Sequence, residues 1–314
     1  AFVAFQAAFA IIAVALISGA VADRMKFSAW IVFAMIWAVV VYFPVAHWVF
    51  AFSNEDTGVV GGWIANQLKA LDFAGGTAIH INAGAGALAL VLVLGKRIGF
   101  GNEPMRPHNL PLVMTGAALL FVGWFGFNAG SALGANTTAA VAFINTLAAT
   151  AAAIIGWLVV ERIRDGHATS LGAASGIIAG LVGITPAANS VSPLGALAIG
   201  LIAGAVCALA VSLKYRFGYD DSLDVVGVHM VGGLVGTLLI GFLAGVSGRC
   251  GWALPRRRAG SAVAPGCRCL RGARLLIRRH LHPGQDPRPG AGSADPSRCR
   301  GRGHRYQDPR RIRL

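Results

Sequence analysis

Residues 72–95 read DFAGGTAIHINAGAGALALVLVLG, and this stretch decides what kind of protein the chain can be. From Gly75 to Gly95 the only ionisable side chain is His80. About 20 mostly apolar residues are what a helix needs to cross the hydrocarbon core of a bilayer. In a soluble helix so much interior glycine is costly, whereas small residues let membrane helices pack closely. The stretch therefore reads as a membrane span that packs through its glycines and carries one polar group.

Seven further runs have the same character, roughly 3–22, 28–50, 111–133, 137–160, 170–188, 194–213 and 225–247. The expected fold is an all-α, polytopic membrane protein with eight transmembrane helices. Composition agrees. The 314 residues are 55% apolar and 13% charged, with a mean hydropathy of +0.64, where a soluble domain carries roughly a quarter charged residues. A soluble helical bundle would have no polar surface left for water, and an ordinary soluble enzyme or a disordered chain is excluded.

The net charge of +14 resembles a nucleic-acid signature, but its location argues otherwise. Residues 1–247 carry ten Lys/Arg and ten Asp/Glu and so sum to zero, while residues 248–314 carry seventeen Arg against three Asp. Lys and Arg are retained on the cytoplasmic side of short loops. One set of alternate loops holds Arg24, Lys26, Lys96, Arg97, Arg106, Arg162, Arg164, Lys214 and Arg216; the other holds Lys69 alone, beside Glu55, Asp56 and Asp72. This alternation sends the first run inward and puts the loops at 51–72, 134–136 and 189–193 outside. The chain opens inside an apolar run with no initiating Met and no cleavable signal, so its natural start is expected upstream.

Past Gly248 the apolar periodicity stops. Arg, Pro, Gly and Ala, all with GC-rich codons, make up 41 of the 67 tail residues, and Lys, Glu, Asn, Thr, Phe and Met are absent. Residues 248–314 are read as a GC-rich frame translated out of register, unstructured and without assigned function. The alternative, a basic tail for RNA or acidic lipid, would set seventeen arginines on the outer face, against every other loop. Cys267 and Cys269 lack zinc-site spacing.

Ionisable groups within spans are functional by default. His80 and His229 each stand early in a run, each with an aspartate eight residues upstream, Asp72 and Asp221, and each followed by small residues, Ala83-Gly84 and Gly232-Gly233. The two runs travel in opposite directions. That is the pattern of an inverted repeat, whose sites form where the halves meet. Two imidazoles there would line a narrow polar path. A single buried histidine is more often a packing residue; a repeat-related pair favours a pore. A two-histidine metal site is the competing function, and it lacks a third ligand. His47, His108 and His167 are read as structural.

Aromatics supply the second feature. Phe5 and Phe9 begin the first run, Trp48 and Phe50 end the second, and Trp124, Phe127 and Ser131 occupy the outer half of the fourth. Interfacial aromatics commonly form only a belt. With a hydroxyl beside them, their π faces could instead hold a small cation that donates hydrogen bonds, at up to ~2 kcal/mol per contact.

These residues carry a resemblance. Phe5-Gln6-x-x-Phe9, Ala20-Val21-Ala22-Asp23-Arg24, Asp72-Phe-Ala-Gly-Gly-Thr77-x-x-His80-Ile-Asn82, Pro107-His108-Asn109-Leu-Pro111, Gly123-Trp124-Phe-Gly-Phe127-Asn128-Ala-Gly-Ser131 and Asp224-x-x-Gly227-x-His229 resemble the ammonium transporter (Amt/Mep/Rh) family, its bacterial Amt branch in particular. The resemblance implies an eleven-helix protomer of two inverted five-helix repeats, assembled as a homotrimer with one pore per subunit. The eight runs would be helices three to ten, with the first two and the eleventh absent. It implies that Phe9 and Phe127 are a stacked gate, that His80 and His229 are the twin-histidine pair, and that Trp124 is a pore wall. Phe5, Phe50 and Ser131 would recruit ammonium outside, with Asp72 and Asp221 as structural support. Phe50 departs from the Trp common at that position and keeps a weaker π face.

The function expected is ammonium transport: NH4+ recruited at the outer cage, deprotonated, and conducted as NH3 past the histidines. The alternatives are an ammonium sensor of the same fold, a Rh-like gas channel, and a fragment that does not transport on its own. The partners expected are ammonium or ammonia, the lipid bilayer of the cell membrane and further copies of the chain. A PII-type signal protein would read a native cytoplasmic tail that the altered frame loses. No nucleic acid and no cofactor is expected. The chain has no nucleophile elbow and no phosphate loop, and no enzymatic activity is assigned.

Overall fold

The computed structural model describes residues 1–103 and 105–244; the tail at 248–314 lies outside the described residues. Each apolar run is a helix: α1 (Phe2–Ser18), α2 (Phe27–Phe50), α3 (Gly76–Leu94), α4 (Leu110–Gly130), α5 (Thr137–Asp165), α6 (Ser170–Ile184), α7 (Pro193–Phe217) and α8 (Val226–Leu243). Among the described residues there is no strand, only two isolated bridges. Six of the eight are long and apolar enough to cross a membrane.

Helices α1 and α6 stop short of the runs that predicted them. After Ser18 the amides of Gly19, Ala20 and Val21 each bond to a carbonyl three residues back, a tighter turn that ends the α-helix. Helix α6 ends before Thr185-Pro186, since proline brings no amide to the ladder and restricts the residue before it. The carbonyl of Pro186 instead accepts the amide of Phe73 at 3.1 Å, tying this corner to the entrance of α3.

The starts of α4, α5, α6 and α7 are capped by Asn109, Asn136, Thr169 and Ser192, whose side-chain oxygens accept the amides of Leu112, Ala139, Gly172 and Gly195. The capping residues stand where apolar runs meet polar loops, so each start is locally determined. Between α5 and α7 the backbones touch: a methyl on Gly200 or Gly204 would overlap the carbonyl of Ala149 or Ala153. Here glycine serves close approach, as the composition of the runs implied.

At the end carrying the basic loops, Arg24 ties three segments together. Its guanidinium donates to the carbonyl of Gly95 at 3.1 Å, to Ser222 Oγ at 2.9 Å and to the carbonyl of Asp220. Arg97 adds its amide to Asp220 Oδ2 at 2.7 Å and its guanidinium to Asp220 Oδ1 at 3.3 Å. Burial opposes the charge on Asp23, but bonds from Ser222 and Arg24 outweigh it and hold the carboxyl below its usual range. The end of α1, the end of α3 and the loop before α8 are thereby clasped.

Candidate functional site

The site is built where α3 and α8 cross. Both helices open on a π turn, Gly76–Ile81 in α3 and Val226–Met230 in α8, and each π turn contains its histidine. Single π turns in α-helices recur at functional sites. Both are entered in the same way. The Asp72 carboxylate accepts the amides of Gly75, Gly76, Thr77 and Ala78 at 2.7–3.1 Å. The Asp221 carboxylate accepts those of Val225 and Val226 at 3.1 and 2.7 Å. Three residues after each aspartate the backbone turns to positive φ, +109° at Gly75 and +61° at Asp224. A carboxylate on the free amides of a helix start is favoured by hydrogen bonding and by the helix dipole together.

The two elements run antiparallel. Gly76 lies against Gly233, and a Cβ on Gly84 would stand 2.5 Å from that of Met230. Between these close approaches His80 and His229 meet, with Nδ1 to Nδ1 at 3.2 Å and ring centroids 5.3 Å apart. His80 is fully buried and His229 nearly so, and His80 Nε2 has no hydrogen-bond partner in the protein. The shared bond requires one Nδ1–H and one bare Nδ1, which two imidazolium ions could not supply. With both rings neutral, one Nε2 is an acceptor and the other an N–H donor.

Aromatic rings continue this line away from the end that carries Arg24 and Arg97. Trp124 stacks on His80 with centroids 5.4 Å apart and planes 11° from parallel. Phe127 lies 6.1 Å from His80 and 5.1 Å from Trp124. Phe9 stacks on Phe127 at 4.6 Å and 3°, and meets Phe5 at 4.8 Å and Phe50 edge-on at 6.1 Å. The ring of Phe5 reaches Gly130, where a Cβ would be 3.1 Å away, one residue from Ser131. Ser131 Oγ donates to the carbonyl of Phe127 at 2.8 Å, which leaves its lone pairs to accept from a ligand.

Phe5, Phe50, the Phe9–Phe127 stack, Trp124 and the histidine pair thus form one chain of ring contacts, with Ser131 bonded to Phe127 and with Asp72 and Asp221 at the helix starts. Trp48 turns away to pack on Trp63. Among the described residues no group of three His, Cys, Asp or Glu could hold a metal ion. Reading the sequence missed the partners behind Trp124. Its Nε1–H donates to Thr185 Oγ1 at 2.9 Å, and Thr185 and Asn128 are wholly buried beside it. The signal was present in Asn128, a polar residue within a span and inside a quoted motif.

The sequence profile described as Ammonium Transporter Family matches residues 1–254. The chain belongs to the ammonium transporter family. Over 243 residues it is 68% identical to the ammonium transporter of Mycobacterium tuberculosis (strain ATCC 25618 / H37Rv), covering 77% of this chain and 51% of that protein. Mep2 from Saccharomyces cerevisiae superposes with a TM-score of 0.77 at 34% identity, over 88% of this chain and 62% of Mep2. A solved structure described as a sensor Amt protein superposes with a TM-score of 0.78 at 30% identity, over 88% of this chain and 67% of that one. The family and the apolar helices make this a multi-pass protein of the cell membrane, and it spans about half the length of the curated relatives it matches.

Proposed function

We propose that this ammonium transporter family member forms the conducting core of an ammonium pathway. NH4+ is recruited at Phe5, Phe50 and Ser131, gives up its proton near the Phe9–Phe127 stack, and passes His80 and His229 as NH3, while the proton follows separately through the imidazole pair. The observation that supports this best is the 3.2 Å contact between two buried imidazoles from repeat-related helices, in line with the aromatic stack. A bare cation pays several kcal/mol or more to enter an apolar passage, so the uncharged amine is the species that travels. The pair offers it one acceptor and one donor in series.

The family resemblance supports a homotrimer and a PII-type partner at the cytoplasmic end of the full-length protein, and the composition of residues 248–314 supports a displaced frame. The sensor reading has a specific observation in its favour, the likeness to a sensor Amt protein. Transport is tested by uptake of methylammonium into cells expressing these residues within a chain of the relatives' full length. Uptake that competing ammonium suppresses is expected. No uptake from a correctly inserted protein would turn the assignment to the sensor.

A further inference from the structure

Behind the pore wall, four side chains from α4, α5 and the turn that follows α6 form one buried hydrogen-bonded file. Trp124 Nε1–H donates to Thr185 Oγ1 at 2.9 Å. Thr185 Oγ1 lies 3.3 Å from Asn128 Oδ1 and 2.7 Å from the carbonyl of Leu181. Asn128 Nδ2 donates to Thr146 Oγ1 at 3.0 Å, and Thr146 in turn donates to the carbonyl of Ala142 at 2.6 Å. Asn128, Thr146 and Thr185 are each 0% exposed. Polar side chains at such depth are costly unless every bond is made.

The proton count gives the file a direction. Thr146 has one hydroxyl proton, and the Ala142 carbonyl takes it. Toward Asn128 it can therefore only accept, which fixes the Asn128 amide with Nδ2 toward Thr146 and Oδ1 toward Thr185. Thr185 has one proton for two acceptors and a lone pair for the indole. Trp124 and Asn128 are four residues apart on α4, so they share a face, and that face presents the indole to His80 and the amide to α5.

We propose that Asn128 is a positioning residue of the pore: anchored on Thr146 and acting through Thr185, it holds the Trp124 indole parallel to His80. The inference deepens the transport reading and rests on it for its purpose, since the tilt of the indole sets the width of the passage at the first histidine. The competing role for these residues is glue between α4 and α5, which would leave the indole indifferent to them.

The test replaces the seven tryptophans of the 314-residue chain with 5-fluorotryptophan and reads the fluorine spectrum in lipid nanodiscs. Trp124→Phe assigns the Trp124 resonance by its loss. Asn128→Leu and Thr185→Val should each displace and broaden that resonance while the other six stay in place, and Thr185→Ser should restore it. A Trp124 resonance unmoved in folded Asn128→Leu and Thr185→Val protein overturns the proposal. If Asn128→Leu collapses the whole spectrum, Thr185→Val against Thr185→Ser decides alone. This readout needs no transport, so failure of the transport reading would show separately, as absent methylammonium uptake with the resonance shifts intact. Where uptake is measured, Asn128→Leu should change the methylammonium-to-ammonium ratio, and the change should vanish in a Trp124→Phe background. Additive effects there overturn it.

Discussion

Asp72 accepts four backbone amides and Asp221 accepts two, although the repeats place them equivalently. Replacing either by alanine leaves helix-start amides unpaired in a buried setting, and a lost cap costs ~0.5–2 kcal/mol. Asp72→Ala should therefore lower the melting temperature of the detergent-solubilised protein more than Asp221→Ala does; the opposite order would contradict the bond count. Asp221 carries a second consequence. Burial, reinforced by Asp224, pushes its carboxyl up to about 6 from an ordinary 3.8. Between those values the folded chain holds a proton that the unfolded chain has lost, so stability falls as pH rises through that window, by on the order of 2–3 kcal/mol. Asp221→Asn should flatten that fall in a series of melting temperatures from pH 4 to 7. The aspartates were legible in the sequence through their shared eight-residue offset from the histidines. The partner of Trp124 was not: Asn128 marks a buried polar position, but that the indole bonds to Thr185, sixty-one residues on, cannot be read from either segment alone.

The eight helices were legible because hydropathy over about twenty residues marks a span, whatever its neighbours do. Two of their ends were not. Apolar residues continue past Ser18, where only hydrogen-bond geometry shows that the α-helix has stopped. At Ile184 the stop was written in Thr185-Pro186 but lay inside a run that hydropathy carries on to Ala188. The π turns were hidden for a similar reason, since a shift of bonding by one residue has no composition of its own. Glycine in the apolar runs was read as a packing residue, and for Gly200 and Gly204 of α7 the structure supplies the partner, the carbonyls of α5. Gly204→Leu should therefore separate α5 from α7 and destabilise the protein by about 1–3 kcal/mol or more, seen as earlier thermal aggregation in detergent. At Gly116, where the added Cβ meets nothing within 4 Å, alanine should be tolerated in the same assay.

For the molecule as a whole, the charge alternation predicts which loops face out. Cysteines placed at 51–68 should react with an impermeant thiol reagent applied from outside, and those at 96–106 and 161–169 should be spared. The reverse pattern would overturn the orientation of the pore. Resequencing the gene near codons 244–250 addresses the tail: an inserted or deleted base, with an apolar helix in the restored frame, is expected, and an intact frame would return the arginine-rich segment to consideration as a partner-binding element. The path itself depends on His80 and His229 meeting at 3.2 Å. The decisive measurement is methylammonium uptake by a chain of the relatives' full length carrying His80→Ala or His229→Ala, with surface expression matched to the parent. Each variant should lose uptake or admit other monovalent cations, while Ser131→Ala should weaken uptake only at low substrate. Parental rate and selectivity in both histidine variants would contradict the account and return the pair to packing.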